Sequence, residues 1–441
     1  MSGWQARLRS VAIDLGPLRR YRDFRLRTIA ASISVFGTYF TMIAVPIQIM
    51  RLTDSTVAVG LVGAVEFVPI VAVGLLGGAI ADRFDRRKVV LVSELGALAC
   101  TLVLLLNSLL PQPKLWVIYL MAAGAVSASS LQRPSLDAML PRYVPHAEIP
   151  SASMVNNQAW GVAGIAGTML GGVLASTSIS LAYTVDVASF ALSLLVFLRL
   201  TPLPRTLSTV VPGIRATLAS VGEGVRYAVG RKDLLGTYLI DTIAMTMAMP
   251  MALFPFFAAE LGAPHAVGLL YAADSVGALL AGLVSGWVRR VHRHGLAIIV
   301  AALCWGAAIG LAGLMPNLGL VLVFLACAGA ADMVSGTFRA VIWDQTIPDE
   351  LRGRLAGIEL LSYSIGPTLG NARAGFMAVG GVRFAIASGG MLCVLGVGAA
   401  AAALPRFRHY DTRTDEFVLA ERQRRSATAS NSPTPPGEPS T

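Results

Sequence analysis

The sequence predicts an all-α membrane protein of twelve transmembrane helices, arranged as two pseudo-symmetric six-helix bundles. Three observations carry this. First, the 441 residues are 55% hydrophobic and only 14% charged, with mean hydropathy +0.67, whereas soluble domains carry about 25% charged residues. That much apolar surface exceeds what one or two soluble cores bury, so lipid is the solvent. Second, apolar runs of about 20 residues, long enough to span a hydrocarbon core, occur twelve times. Third, the basic residues behind the net charge of +10 sit at the ends of those runs rather than along one solvated face, which excludes nucleic acid as the partner.

The runs cover 27–50, 57–81, 88–110, 115–133, 152–176, 181–200, 234–260, 267–288, 296–315, 318–339, 355–379 and 382–404. Starting inside the cell places Arg19, Arg20, Arg22, Arg83, Arg86, Arg87, Arg142, Arg231, Lys232, Arg289, Arg290, Arg293, Arg352, Arg354, Arg406 and Arg408 on the cytoplasmic side. The opposite loops hold little beyond Arg51, Lys114 and Arg383, which is the positive-inside pattern. A multi-pass protein of the cell membrane with both termini in the cytoplasm is expected. The N-terminus lacks a short apolar stretch followed by a cleavage site, so the first run serves as its own insertion signal.

Five sections follow: a cytoplasmic N-terminal segment (1–26), a first bundle (27–200), a cytoplasmic linker (201–233), a second bundle (234–404) and a cytoplasmic tail (405–441). The tail is Ser/Pro/Thr-rich from 422 onward and expected to be disordered there. In the linker, Leu218, Val221 and Val225 oppose Glu223, Arg226 and Arg231; a helix on the membrane surface and a solvated turn both suit this pattern. An internal repeat at an offset of 208 residues supports the division. It pairs Val59-Gly60-Leu61 with Val267-Gly268-Leu269, Glu66 with Asp274, and Gly78 with Gly286.

Charged side chains inside apolar runs cost a few kcal/mol each unless they face a wet cavity or a partner. Glu66, Asp186, Asp241, Asp274 and Asp332 are such residues, and they are the candidates for proton coupling or for lining a substrate cavity. Glu66 and Asp274 lead because they occupy equivalent repeat positions; a static salt bridge is the plainer reading of any one of them. Arg133 and Arg339 close runs 4 and 10, where snorkelling to the headgroups also explains them.

The segment Gly77-Gly-Ala-Ile-Ala-Asp82-Arg-Phe-Asp-Arg-Arg-Lys88 resembles the signature loop of the major facilitator superfamily, through Gly78, Asp82, Arg83, Arg86 and Arg87. Asp85 stands where that family has glycine. The resemblance implies a cytoplasmic gate in which Arg86 pairs with an acid at the end of run 4, Asp137 being nearest, and Asp82 meets the start of run 11 near Leu355. In run 5, Gly167-Thr-Met-Leu-Gly171-Gly172 is similar to an antiporter motif of the superfamily, with Thr168 replacing proline. Its repeat mate Gly366-Pro367-Thr-Leu-Gly370-Asn371 keeps the proline. Small residues there serve close helix packing, and Pro367 bends its helix.

Within the superfamily the chain most resembles the enterobactin exporter family, through Ala44-Val45-Pro46-Ile47-Gln48-Ile49, Asp54-Ser55-Thr56, the charged loop and Pro348-Asp-Glu-Leu-Arg-Gly-Arg354. That likeness implies proton-driven export of a bulky, partly polar small molecule such as a siderophore. Related multidrug and macrolide pumps are the alternative, and a receptor or scaffold without flux is the rival from another class. Protons, a small-molecule substrate and the bilayer are the expected partners, and a monomer is expected. No phosphate loop, metalloprotease motif or nucleophile elbow is present, so neither an enzyme nor a cofactor is expected. Cys100, Cys304, Cys327 and Cys393 are isolated within apolar runs and expected as buried thiols, without metal-ligand spacing. The histidines fall in loops or the tail.

Overall fold

The computed structural model describes residues 16–202, 222–223, 226–347, 364–421 and 423, with side chains described except at 74–83, 285 and 289. All regular elements among them are helical. The first six long helices are α1 (Arg22–Thr53), α2 (Thr56–Arg83), α3 (Arg86–Ser108), α4 (Leu115–Tyr143), α5 (Ile149–Thr177) and α6 (Ile179–Phe197). The next six are α7 (Lys232–Ala248), α8 (Val267–Leu283), α9 (His294–Leu314), α10 (Leu318–Thr346), α11 (364–377) and α12 (Val382–Ala403). Eleven helical segments among the described residues are long and apolar enough to cross a membrane. Leu106, Leu170, Leu195, Leu280, Leu314 and Leu395 all point outward and are exposed, the apolar sheath a bilayer requires.

Local chemistry sets the helix ends. Asp54 closes α1 in the left-handed region at φ 46°, its N–H reaching Met50 O at 2.8 Å, a conformation Asp tolerates better than most side chains. Ser178 and Asn317 cap α6 and α10 by accepting the amides of Leu181 and Leu320, and Asp85 caps α3 through the Arg87 amide at 2.9 Å. Each satisfies a backbone N–H that the helix leaves open. The cap explains the acid at 85, where the related loop carries glycine.

In the first bundle α1 packs on α5 and α6, α3 on α4 and α6, and α2 on α4; in the second, α9 packs on α10 and α12, α8 on α10, and α7 on α12. The bundles meet through α5 and α8, backbone against backbone. A Cβ added at Gly172 would lie 1.9 Å from the Gly268 Cα, and one added at Gly60 on α2 would lie 2.7 Å from the Gly375 Cα on α11. Both contacts lie at the end away from the Arg86–Lys88 loop, so that end is closed where the 208-residue repeat places its glycines. Gly167 and Gly171 carry α5 onto the backbone of Phe36 and Phe40 in α1.

Several boundaries differ from expectation. The apolar run 234–260 is not one helix: α7 stops at Ala248, and the chain turns through Met251–Leu253 into a short helix, Phe254–Glu260. Pro250 lacks an amide hydrogen and cannot continue the ladder. The freed groups find partners, since Ala252 N donates to Asn371 Oδ1 at 3.0 Å and Tyr271 Oη donates to Met251 O at 2.8 Å. A break inside a membrane is tolerated only where such partners exist. The run expected at 267–288 likewise leaves α-helix at Leu283 and finishes as a tighter turn, Ser285–Arg290. Of the four cysteines only Cys393 is buried, while Cys304 and Cys327 are exposed on the outer surface; small apolar-compatible thiols face lipid as readily as core.

The start of the tail folds back. Phe407 is fully buried in the space left by Gly236 of α7 and Gly295 of α9. Thr412 N donates to His292 O at 3.1 Å, and the Phe417 ring lies 3.6 Å from the Arg231 guanidinium. Arg231 also donates to Thr346 O at 2.9 Å and to the Asp233 carboxylate, tying the end of the linker to α10. The linker's amphipathic centre and residues 424–441 lie outside the described residues.

Candidate functional site

A cavity of about 240 Å³ opens inside the second bundle, lined by Asp241, Asp274, Asp332, Arg339, Trp305, Phe254, three methionines and apolar neighbours. Helical spacing builds it. Asp241 and Met245 share one face of α7, with Met249 at its C-cap, Trp305 and Ile309 share one face of α9, and Leu325, Asp332 and Arg339 one face of α10 at seven-residue steps. The methionines stand at the α7 break, where flexible thioethers fill an irregular wall.

Glycine brings the acids together. A Cβ at Gly329 of α10 would fall 1.8 Å from the Asp274 carbonyl oxygen, and one at Gly277 of α8 1.8 Å from that of Ala326, so α8 and α10 touch along their backbones. Asp332, one turn beyond Gly329, therefore lies within electrostatic reach of Asp274. Arg339 is the cation of the group: its side chain is 3% exposed, forms an ion pair with the equally buried Asp241, and approaches Asp332 at 3.8 Å. From the first bundle, Tyr39 of α1, packed against Gly164 and Gly167, is within reach of the charges of both Asp274 and Arg133.

Three of the five expected acids thus share one cavity; the other two lie elsewhere. Asp186 is fully buried inside the first bundle, accepting from Thr41 and, at 3.3 Å, from Thr101 and Ser189. Gly37 provides the room for this contact, its missing Cβ being replaced by Ser189 and Asp186 atoms. Glu66 is half-buried on α2 and is not among the residues lining the cavity. Pro367 of α11 lines it, and Gly366 and Gly370 let α11 close onto Met245 of α7.

The charged loop is held differently from the expectation that pairs Arg86 with Asp137. Arg86 Nη1 donates to the Ala138 carbonyl at 2.8 Å and Arg87 Nη2 to the Leu198 carbonyl at 2.7 Å. Asp137 instead lies 3.8 Å from Arg27. Leu198, the C-cap of α6, offers an orphan carbonyl, and the Ala138 carbonyl within α4 has a second lone pair for Arg86. The backbone of Gly78, Asp82 and Arg83 belongs to α2, but their side chains, and the contact expected near Leu355, lie outside the described residues.

Sequence reading missed two buried ionic residues. Arg27 is fully buried, donating to Leu136 O at 3.1 and 2.9 Å and to Asn156 Oδ1 at 2.7 Å, so it staples α1 to α4 and α5. Glu94 is also fully buried, accepting from Ser34 at 3.3 Å and from Gln132. The signal for both was an amide side chain inside an expected span, Asn156 and Gln132.

A two-bundle helical membrane fold with a charge-lined interior cavity defines a small-molecule transporter. Over residues 12–423 the chain matches the family described as transmembrane secretion effector, and it belongs to that family, within the major facilitator superfamily. It is 31% identical to the enterobactin exporter EntS of Shigella boydii serotype 4 (strain Sb227) over 401 residues, covering 87% of this chain and 92% of that one. Against the enterobactin exporter EntS of Escherichia coli O139:H28 (strain E24377A / ETEC) it is 31% identical over 399 residues, with the same coverage. Among solved structures, the fold is similar to a POT family transporter in complex with 5-aminolevulinic acid (TM-score 0.68, 12% identity, 88% of this chain and 97% of that one). It is also similar to a bacterial homologue of the iron transporter ferroportin in an inward-facing state (TM-score 0.65, 12% identity, 88% and 98% coverage).

Proposed function

We propose that the protein is a proton-driven exporter of an amphipathic, siderophore-like small molecule. It works as a monomer in the inner membrane with both termini in the cytoplasm, and the bundles 27–200 and 234–404 rock against one another on the linker 201–233. The observation that carries this reading is the cavity charge set, three carboxylates against one guanidinium. Such a set is expensive in a membrane unless protons or ligand balance it, so occupancy by either favours a different state of the bundle.

The mechanism follows from Arg339. With Asp241 ionised, the guanidinium stays on it; a proton arriving on Asp241 weakens that pair and frees Arg339 toward Asp332, which it already approaches. The closed end, sealed by the glycine contacts, is the external one, and the cavity loads from the cytoplasm. Purified protein in liposomes should move a catecholate siderophore outward faster when an inward-directed proton gradient is imposed. Flux indifferent to the gradient removes proton coupling, flux restricted to drug-like compounds favours multidrug efflux, and ligand binding without flux favours a sensor.

A further inference from the structure

We propose that Arg133 of α4, held over the Trp160 ring of α5 with Tyr39 of α1 in reach, forms an anion-recognising subsite on the first bundle that takes the charged head of an aromatic substrate, such as a catechol carboxylate. This deepens the transport reading above and rests on it.

The two bundles use their arginines differently. Arg339 on α10, the fourth helix of its bundle, is buried and paired with Asp241. Arg133 stands on the fourth helix of the other bundle and is exposed, and it makes no hydrogen bond or ion pair among the described residues. Its guanidinium carbon lies 5.6 Å from the centroid of the Trp160 ring, within the range of a cation–π contact. That ring packs on the buried cluster that includes Leu136 and Met139. The contact turns Arg133 inward, away from the headgroups to which an arginine closing an apolar run would snorkel, and leaves its N–H donors unengaged.

The neighbouring charges leave a surplus. Asp137, one turn beyond Arg133, is within its electrostatic reach but also lies 3.8 Å from Arg27, so two guanidiniums share one carboxylate. Arg27 is fully buried and committed to Leu136 O and Asn156 Oδ1; Arg133 is the one with donors to give. Tyr39 feels the charges of both Arg133 and Asp274, which sets the subsite on the face of the first bundle that looks toward the second. The fork of an arginine matches the two oxygens of a carboxylate, and the Trp160 and Tyr39 rings offer faces on which an aromatic head stacks. Across from them Asp274 and Asp332 repel an anion. The charged head is therefore directed to the first bundle, and the uncharged remainder to the apolar wall of Trp305 and Phe254.

The test uses the full-length protein in lipid nanodiscs and a matched pair of probes, 3,4-dihydroxybenzoate and its uncharged amide, with binding read by calorimetry. The carboxylate is expected to bind about tenfold or more tighter than the amide. Arg133→Gln should remove most of that preference while leaving amide binding within about twofold; Arg133 is exposed, so its loss leaves the packing intact. Arg133→Lys should keep part of the preference, since it retains the charge and loses the fork. Asp137→Asn should act in the opposite sense, tightening carboxylate binding by about two- to fivefold, a gain that a merely structural role for Arg133 would not produce. The exposed Arg19→Gln should change nothing. Equal affinity for the two probes, or a preference untouched by Arg133→Gln, overturns the proposal. A preference that depends on Arg133 without siderophore flux in liposomes would uphold it and remove the transport reading; siderophore flux with no charge preference would do the reverse.

Discussion

At the residue scale the structure turns on Arg339, because among the described residues lining the cavity its guanidinium is the one cation beside three carboxylates. Removing one member of a buried pair costs about 3–5 kcal/mol, while replacing both partners by apolar side chains is often neutral. Arg339→Leu should therefore lower the thermal midpoint of the detergent-solubilised protein sharply, and the double variant Asp241→Leu/Arg339→Leu should recover most of the loss. A double variant no more stable than the single one would mean that the pair is not the source of the cost. Flux should be lost in both. The acids were legible in the sequence because a carboxylate in an apolar run is conspicuous. Arg339 was harder to place, since an arginine closing a run reads equally as a snorkelling anchor. Arg27 was read as a boundary, and only the fold shows that it faces inward to Leu136 and Asn156.

At the element scale, glycines bring the two bundles into backbone contact. Any side chain at Gly60 or Gly172 meets the backbone of Gly375 or Gly268, so the bundles must part at that end to accept it. Gly60→Leu and Gly172→Leu are expected to shift the population toward an opening away from the charged loop, lengthening the distance between spin labels at positions 52 and 379 by several ångströms; an unchanged distance would contradict the gate. The repeat was visible as Val-Gly-Leu at two places, yet no single sequence says which glycine meets which. The tail gives a second expectation. Phe407 fills the room over Gly236 and Gly295, so Phe407→Ala should cost about 3–5 kcal/mol and expose 405–421 to limited proteolysis. That docking was not legible, because a short segment after the last apolar run carries no periodicity to distinguish a packed strap from a solvated tail.

At the scale of the whole molecule, the fold class was legible because the bilayer imposes it: run length, run number and loop charge are each set by lipid and not by tertiary detail. The cavity was legible only as a set of candidates. Its membership depends on the break of α7 at Pro250 and on the glycines that press α8 against α10, neither of which periodicity reveals. Asp186 shows the limit, since an acid deep in an apolar run is as well served by three hydroxyls as by a cavity.

The central claim is that this cavity couples proton entry to export, and proton-driven flux in liposomes tests it most directly. Efflux of a catecholate siderophore is measured with and without an imposed pH gradient, for the native chain and for Asp241→Asn. Gradient acceleration in the native chain that disappears in Asp241→Asn, with downhill exchange retained, is the predicted result. Full gradient-driven transport by Asp241→Asn would contradict it.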